Sequence, residues 1–161
     1  MSDPIQPNSI KAWILAARPK TLAGALTPVL IGSALAFMHG SFHWLPVFIC
    51  FLFAGFMQIA ANFINDLFDY LKGSDREDRL GPERAILTIL IVACLTGSTL
   101  LYYGGMQLIG VGLVCVLFAF LYTTGPYPLS YNGWGDILVL VFFGFLPVGA
   151  TYYAQSLNCN N

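Results

Sequence analysis

Residues 62–84 read NFINDLFDYLKGSDREDRLGPER, and the fold follows from how this stretch joins the oily chain around it. Six of the eight acidic residues and four of the seven basic ones fall here, in a chain that is 57% hydrophobic and 9% charged. Asn62, Asn65, Asp66 and Asp69 stand at the end of a long apolar run. Ionisable groups in such a run are costly unless they face a cavity or partners, so they are functional candidates. Their spacing of i, i+3/i+4, i+7 places all four on one face of a helix. Two carboxylates three residues apart, beside amides, suit a hard cation such as Mg2+, which binds through one or two carboxylates plus substrate phosphates.

Working outward, 161 residues with a mean hydropathy of +0.72 describe a membrane protein. The expected fold is all-α, a polytopic transmembrane bundle treated as a single membrane domain over 1–161. A leader at 1–20 precedes spans at about 21–38, 44–68, 85–104, 107–123 and 136–156. The apolar run after Lys20 is long and contains Pro28, so it reads as a first span and not as a cleavable signal peptide. Gly24, Gly32, Ser33 and Ala36 in that span are small enough for close helix packing. Trp13, Arg18 and Lys20 suit the headgroup region. Cys50, Cys94 and Cys115 sit in apolar runs without C-x-x-C spacing, which argues against metal and disulfide roles.

Every Lys and Arg lies either before the first span or between the second and third. Two spans separate these places, so both are on one side, cytoplasmic by the positive-inside rule. The N-terminus and the acidic motif are therefore expected on the cytoplasmic side. The loop GPYPLSYNGWGD at 125–136 shares that side, and its Tyr127, Tyr131 and Trp134 form either an aromatic belt or a cap over a cavity. Asp136 reads as a helix N-terminal acid. His39 and His43 belong to the outer turn.

Two readings of the acidic face compete. It is either a hydrated helix end at the interface or a divalent-metal site for a phosphorylated ligand. The residues after Asp69 favour the second, because Lys72, Arg76, Arg79 and Arg84 supply cations suited to phosphate oxygens. Alternating charge in SDREDR at 74–79 also suits a solvated, self-paired loop. No Ser/His/Asp arrangement, P-loop or zinc spacing is present, and nothing points to nucleic acid.

Three segments together resemble the UbiA superfamily of intramembrane prenyltransferases, and within it the 1,4-dihydroxy-2-naphthoate prenyltransferases of the menaquinone pathway. They are ARPKTLAGALTPVLIGSALA at 17–36, the acidic motif with KGSDREDRLGP, and LYTTGPYPLSYNGWGDILVLVFFG at 121–144. The resemblance implies Mg2+-dependent transfer of a polyprenyl group from polyprenyl diphosphate to 1,4-dihydroxy-2-naphthoate, with CO2 lost and demethylmenaquinone formed. It makes Asn65, Asp66 and Asp69 catalytic, with Asp66 and Asp69 as metal ligands. It gives Asn62, Lys72, Arg76, Arg79, Tyr122 and Tyr131 to substrate binding. It also implies a bacterial cytoplasmic (inner) membrane. The family fold has about nine helices and a second D-x-x-x-D motif. This sequence has about five spans and no such pair after Asp69. The expectation is therefore an N-terminal portion, inactive alone: a truncated gene product, a fragment, or half of a split protein whose partner is the missing C-terminal half. A small transporter or channel bundle and a non-catalytic remnant are the alternatives. A transport site belongs near mid-membrane, whereas these acids sit at a span's end.

Overall fold

The computed structural model describes residues 9–71, 83–121 and 135–157, and every regular element among them is helical. In order these are α1 (Ile10–Ala17), α2 (Pro19–Met38), α3 (Trp44–Leu71), α4 (Glu83–Thr99), α5 (Leu101–Gly104), α6 (Gln107–Leu121), α7 (Gly135–Val139), a π-helical segment (Leu140–Phe145) and α8 (Leu146–Ser156).

Four stretches are long and apolar enough to cross a membrane: Trp13–Met38, Trp44–Phe68, Ile86–Gly104 and Asp136–Ser156. They overlap four of the five predicted spans, the first beginning at Trp13, inside the stretch expected as a leader. The remaining one, predicted at 107–123, is described as the 15-residue α6, and its last two positions lie outside the described residues.

Side-chain size sorts as expected for a bundle in lipid. The buried positions of α2 are Ala25, Pro28, Val29, Gly32, Ser33 and Ala36, while Leu30, Ile31, Leu35, Phe37 and Met38 face outward. Lipid is as apolar as leucine, so burying large side chains gains little, and small residues instead let helices approach. Here α2 lies against both α3 and α8, and α3 packs against α4. At Gly32 a Cβ would stand 2.6 Å from the Val148 carbonyl oxygen and 2.9 Å from Thr151 Cβ. At Gly97 a Cβ would meet the Phe53 ring at 2.9 Å. At Gly32 the clash is with backbone, which demands glycine, whereas at Gly97 the Phe53 ring would have to move. Gly24, read from sequence as part of the same packing stripe, has open space around it and is exposed.

The turn after α2 closes with a Schellman motif. Gly40 is left-handed (φ 72°), the Ser41 amide donates to Ala36 O at 2.9 Å, and the Gly40 amide donates to Phe37 O at 3.1 Å. The π-helical segment just before Pro147 has no counterpart in the sequence reading. Pro147 has no N–H to donate to Phe143 O, and the widened turn accommodates that gap.

The two ends of the bundle are distinct. One brings together the α1–α2 break, the end of α3 and the start of α4. There Ala16 and Phe63 are buried with Trp13, Ala17, Ile59, Ile86 and Ile89 around them. The other gathers the 39–43 turn, the start of α6 and the end of α8, joined by hydrogen bonds from the His43 amide to Gln155 and from Tyr153 to Gln107.

Candidate functional site

The α3 helix runs unbroken from Trp44 to Leu71, so Asn62, Asn65, Asp66 and Asp69 lie on one continuous helix, as their spacing predicts. Gln58, Asn62 and Asp66 recur every four residues and therefore stack along one stripe. All three are buried, Asn62 at 3% and Asp66 at 5% exposure, and Asn65 is half-buried. The side chain of Asp69 lies outside the described residues, as do Lys72, Arg76, Arg79, Tyr122 and Tyr131.

This stripe faces the junction of α1 and α2. Residue 18 precedes a proline, which disfavours the right-handed helical region, and Arg18 adopts the left-handed one (φ 47°, ψ 66°). For a non-glycine residue that conformation costs about 1–2 kcal/mol. Side chains on both strands of the break hold it. Asn62 Nδ2 donates to Ala17 O at 2.8 Å and to Thr21 Oγ1 at 2.9 Å. Gln58 Nε2 donates to Asn62 Oδ1 at 3.1 Å and to Thr21 Oγ1 at 3.2 Å. Thr21 closes the ring locally, its hydroxyl donating to Arg18 O at 2.8 Å. Both Asn62 N–H groups are thus engaged within the protein, so its side chain acts as a clamp on the helix break.

One turn further along α3, Arg18 donates from its terminal nitrogen to Asp66 Oδ1 and forms an ion pair with it. The carboxylate is 5% exposed and the guanidinium side chain 39%, so the arginine reaches a buried acid from a half-open position. Arg18 meets Asp66, where the sequence suggested a headgroup contact, and Trp13 packs edge-on against Phe63 (5.9 Å, 75°). Gln58 and Thr21 were missed altogether. A glutamine one helical turn before Asn62 in an apolar span was the available signal, and so was an Arg-Pro pair at a helix start.

Hard oxygen donors at 65, 66 and 69 are the kind Mg2+ takes. Of these, Asp66 is ion-paired with the Arg18 guanidinium. Among the described residues no group of three His, Cys, Asp or Glu side chains converges. Further acidic or phosphate oxygens would have to complete such a site. Asp136, in the first turn of α7, is exposed, in keeping with its reading as a helix N-terminal acid.

A helical bundle of membrane-spanning length with a buried Asp–Arg pair near one end of a span defines an integral membrane protein with a polar site at one face. The chain belongs to the UbiA prenyltransferase family, whose pattern matches residues 25–158. It is 36% identical to the 1,4-dihydroxy-2-naphthoate octaprenyltransferase of Escherichia coli, over 94% of this chain and 56% of that protein. It is 39% identical to the enzyme of the same name from Haemophilus influenzae, over 92% of this chain and 56% of the relative. A 2-carboxy-1,4-naphthoquinone phytyltransferase from Synechocystis is 29% identical over 96% of this chain and 56% of the relative. The chain spans about half the length of the curated relatives it matches.

Proposed function

We propose that this chain forms the diphosphate-binding wall of a 1,4-dihydroxy-2-naphthoate polyprenyltransferase acting in menaquinone biosynthesis. The observation that carries the reading is Asp66, a buried carboxylate compensated by a cation near the end of a membrane span, in a chain of this family. The names of the relatives supply the substrate class, a prenyl donor and a naphthoate acceptor.

In this reading Asp66 and Asp69, with the Asn65 amide, are the oxygen ligands that would hold Mg2+. When bound, the ion neutralises the departing diphosphate. Lys72, Arg76 and Arg79 grip phosphate oxygens, and Tyr122 and Tyr131 line the acceptor. The allylic carbon–oxygen bond of polyprenyl diphosphate breaks, a ring carbon of dihydroxynaphthoate forms the new carbon–carbon bond, and the ring carboxylate leaves as CO2. The prenyl chain lies among the apolar helices, where water is excluded. Asn62 serves this site by fixing the α1–α2 break. The site faces the cytoplasm, by the distribution of Lys and Arg, and the bacterial relatives support an inner-membrane location. The opposing wall corresponds to the part of the relatives that this chain does not match, and the chain alone does not turn over.

A labelled prenyl-transfer assay on membranes tests this. Three proteins are compared: this chain, this chain fused to the unmatched C-terminal part of the Escherichia coli relative, and that fusion carrying Asp66→Ala. Labelled prenyl-dihydroxynaphthalene, recovered as its quinone after oxidation by air, is expected from the unsubstituted fusion only. An inserted, folded fusion that makes no product beside an active Escherichia coli control overturns the functional reading. Turnover by the chain alone overturns the need for a second wall.

A further inference from the structure

The α1 helix has two sides, and one of them meets the bundle. On that side Trp13 and Ala17 gather on the buried Ala16–Phe63 pair. On the other, Ile10, Lys11, Ile14 and Leu15 are exposed, with Ile10 at 79%, Ile14 at 54% and Leu15 at 55%. These four stand at i, i+1, i+4 and i+5 and share one side of the helix. We infer that this outer side of α1, together with Lys20, is a docking surface for anionic phospholipid. Headgroups meet the two lysines, and acyl chains meet Ile10, Ile14 and Leu15. The surface lies outside the acidic motif and does not depend on the diphosphate reading.

Two lengths fix the depth of α1. The 20 residues of α2 rise about 30 Å, the thickness of the hydrocarbon core. So α2 crosses the core unaided, and α1 stands beyond its end. Along α3, Phe63 lies about 30 Å from Trp44, and Trp13 packs edge-on against that ring at 5.9 Å. Both lengths put α1 where acyl chains give way to headgroups. A helix at this level gains by burying apolar side chains a short way into the chains, and by placing cations beside anionic headgroups.

Charge selects the lipid. Between residues 9 and 65 the basic side chains are Lys11, Arg18 and Lys20, and no Asp or Glu occurs. Arg18 is paired with Asp66. Lys11 and Lys20 are exposed and have no ion-pair partner among the described residues. Inorganic phosphate would use the lysines and gain nothing from Ile10, Ile14 and Leu15, whereas a phospholipid uses both.

Quenching of Trp13 fluorescence by brominated lipid tests this. The full chain carrying Trp44→Phe and Trp134→Phe, which leaves Trp13 as reporter, is reconstituted in phosphatidylcholine vesicles. A minor share of the lipid is brominated phosphatidylglycerol or brominated phosphatidylcholine. Phosphatidylglycerol is expected to quench beyond its share, with a preference of about fivefold for each lysine. Lys11→Gln and Lys20→Gln each lose that factor, and Lys11→Arg and Lys20→Arg keep it. Salt at about 1 M, where the Debye length is about 3 Å, erases it. Equal quenching by the two lipids makes α1 ordinary boundary surface and overturns the inference. So does a preference indifferent to salt, or one that survives in the double Gln variant, which places the anionic lipid elsewhere. Absence of quenching by either lipid means that protein covers this side of α1, and overturns it as well. Should a Gln variant fail to insert, the comparison of the two lipids and the salt series still decide.

Discussion

Polar side chains are used in opposite ways at the two ends of this bundle. At the motif end they bring charge from one helix to another, with Arg18 on Asp66 and the Asn62–Thr21–Gln58 ring holding the break in place. At the other end they are neutral and satisfy one another. Gln155, at 0% exposure, accepts from the His43 amide at 3.3 Å and donates to Ser33 Oγ at 3.4 Å and Thr151 O at 3.3 Å. Every charged residue of the chain lies within residues 1–20, within 66–84 or at 136, so none belongs to that far end. Both ends bury polar groups, and in each case hydrogen bonds offset the cost of removing them from water. Only one end also concentrates charge, which a bundle in lipid does not need for its own stability. One end therefore pairs charges across helices, and the other fastens them with neutral hydrogen bonds.

The largest expected effect breaks that division at the motif end. Asp66→Asn should lower pyrophosphate-dependent Mn2+ affinity by about 10²–10³-fold, the usual scale for losing one aimed electrostatic partner. Its thermal unfolding in detergent should change far less than its binding. A variant that unfolds in proportion to its loss of binding would make Asp66 a structural acid. Next comes Gly32→Val at the centre of the α2–α8 contact. The Cβ meets the Val148 carbonyl at 2.6 Å, and overpacking of this kind costs about 1–3 kcal/mol. A lower unfolding midpoint with unchanged Mn2+ affinity is expected.

Asn62→Ala tests the border between the two roles. It removes three side-chain hydrogen bonds, worth about 1 kcal/mol each before relaxation. Because those bonds hold the helix break beside Asp66, both stability and pyrophosphate-dependent Mn2+ affinity should fall, unlike at Gly32. Equal Mn2+ affinity with pyrophosphate in Asn62→Ala and wild type would show that the clamp does not serve the site. The smallest effect belongs to Gly40→Ala. A Cβ at φ 72° costs about 1–2 kcal/mol, seen as a small drop in midpoint with binding intact.

The helical class, four spans and the placement of 62, 65, 66 and 69 on one helix were legible because each rests on local period and composition. Periodicity depends only on residues near one another in sequence, and α3 keeps it across 28 residues. Arg18 was misassigned because its partner is 48 residues away. An arginine beside a bilayer has two sinks for its charge, headgroup phosphate and buried carboxylate, and local sequence does not distinguish them. Gly24 and Gly32 look alike in sequence, yet only Gly32 faces another helix. That distinction depends on how α2 is rotated against α8, a property of the assembled bundle. The π-helical turn was missed for a related reason. Pro147 announces a missing hydrogen bond, but not whether the helix will kink or widen to accommodate it.

The contact between α2 and α8 also has a consequence in time. Ser33 and Gln155 are 122 residues apart, and a ribosome adds about 5–20 residues per second. The small-residue face of α2 is therefore made several seconds before the helix that covers it. Through that interval Gly32, Ser33 and Ala36 face lipid or a companion supplied by the insertion machinery. The chain's first span is thus among the last to find its final neighbour, and errors in delivering α8 would leave an adhesive stripe on a helix already in the membrane.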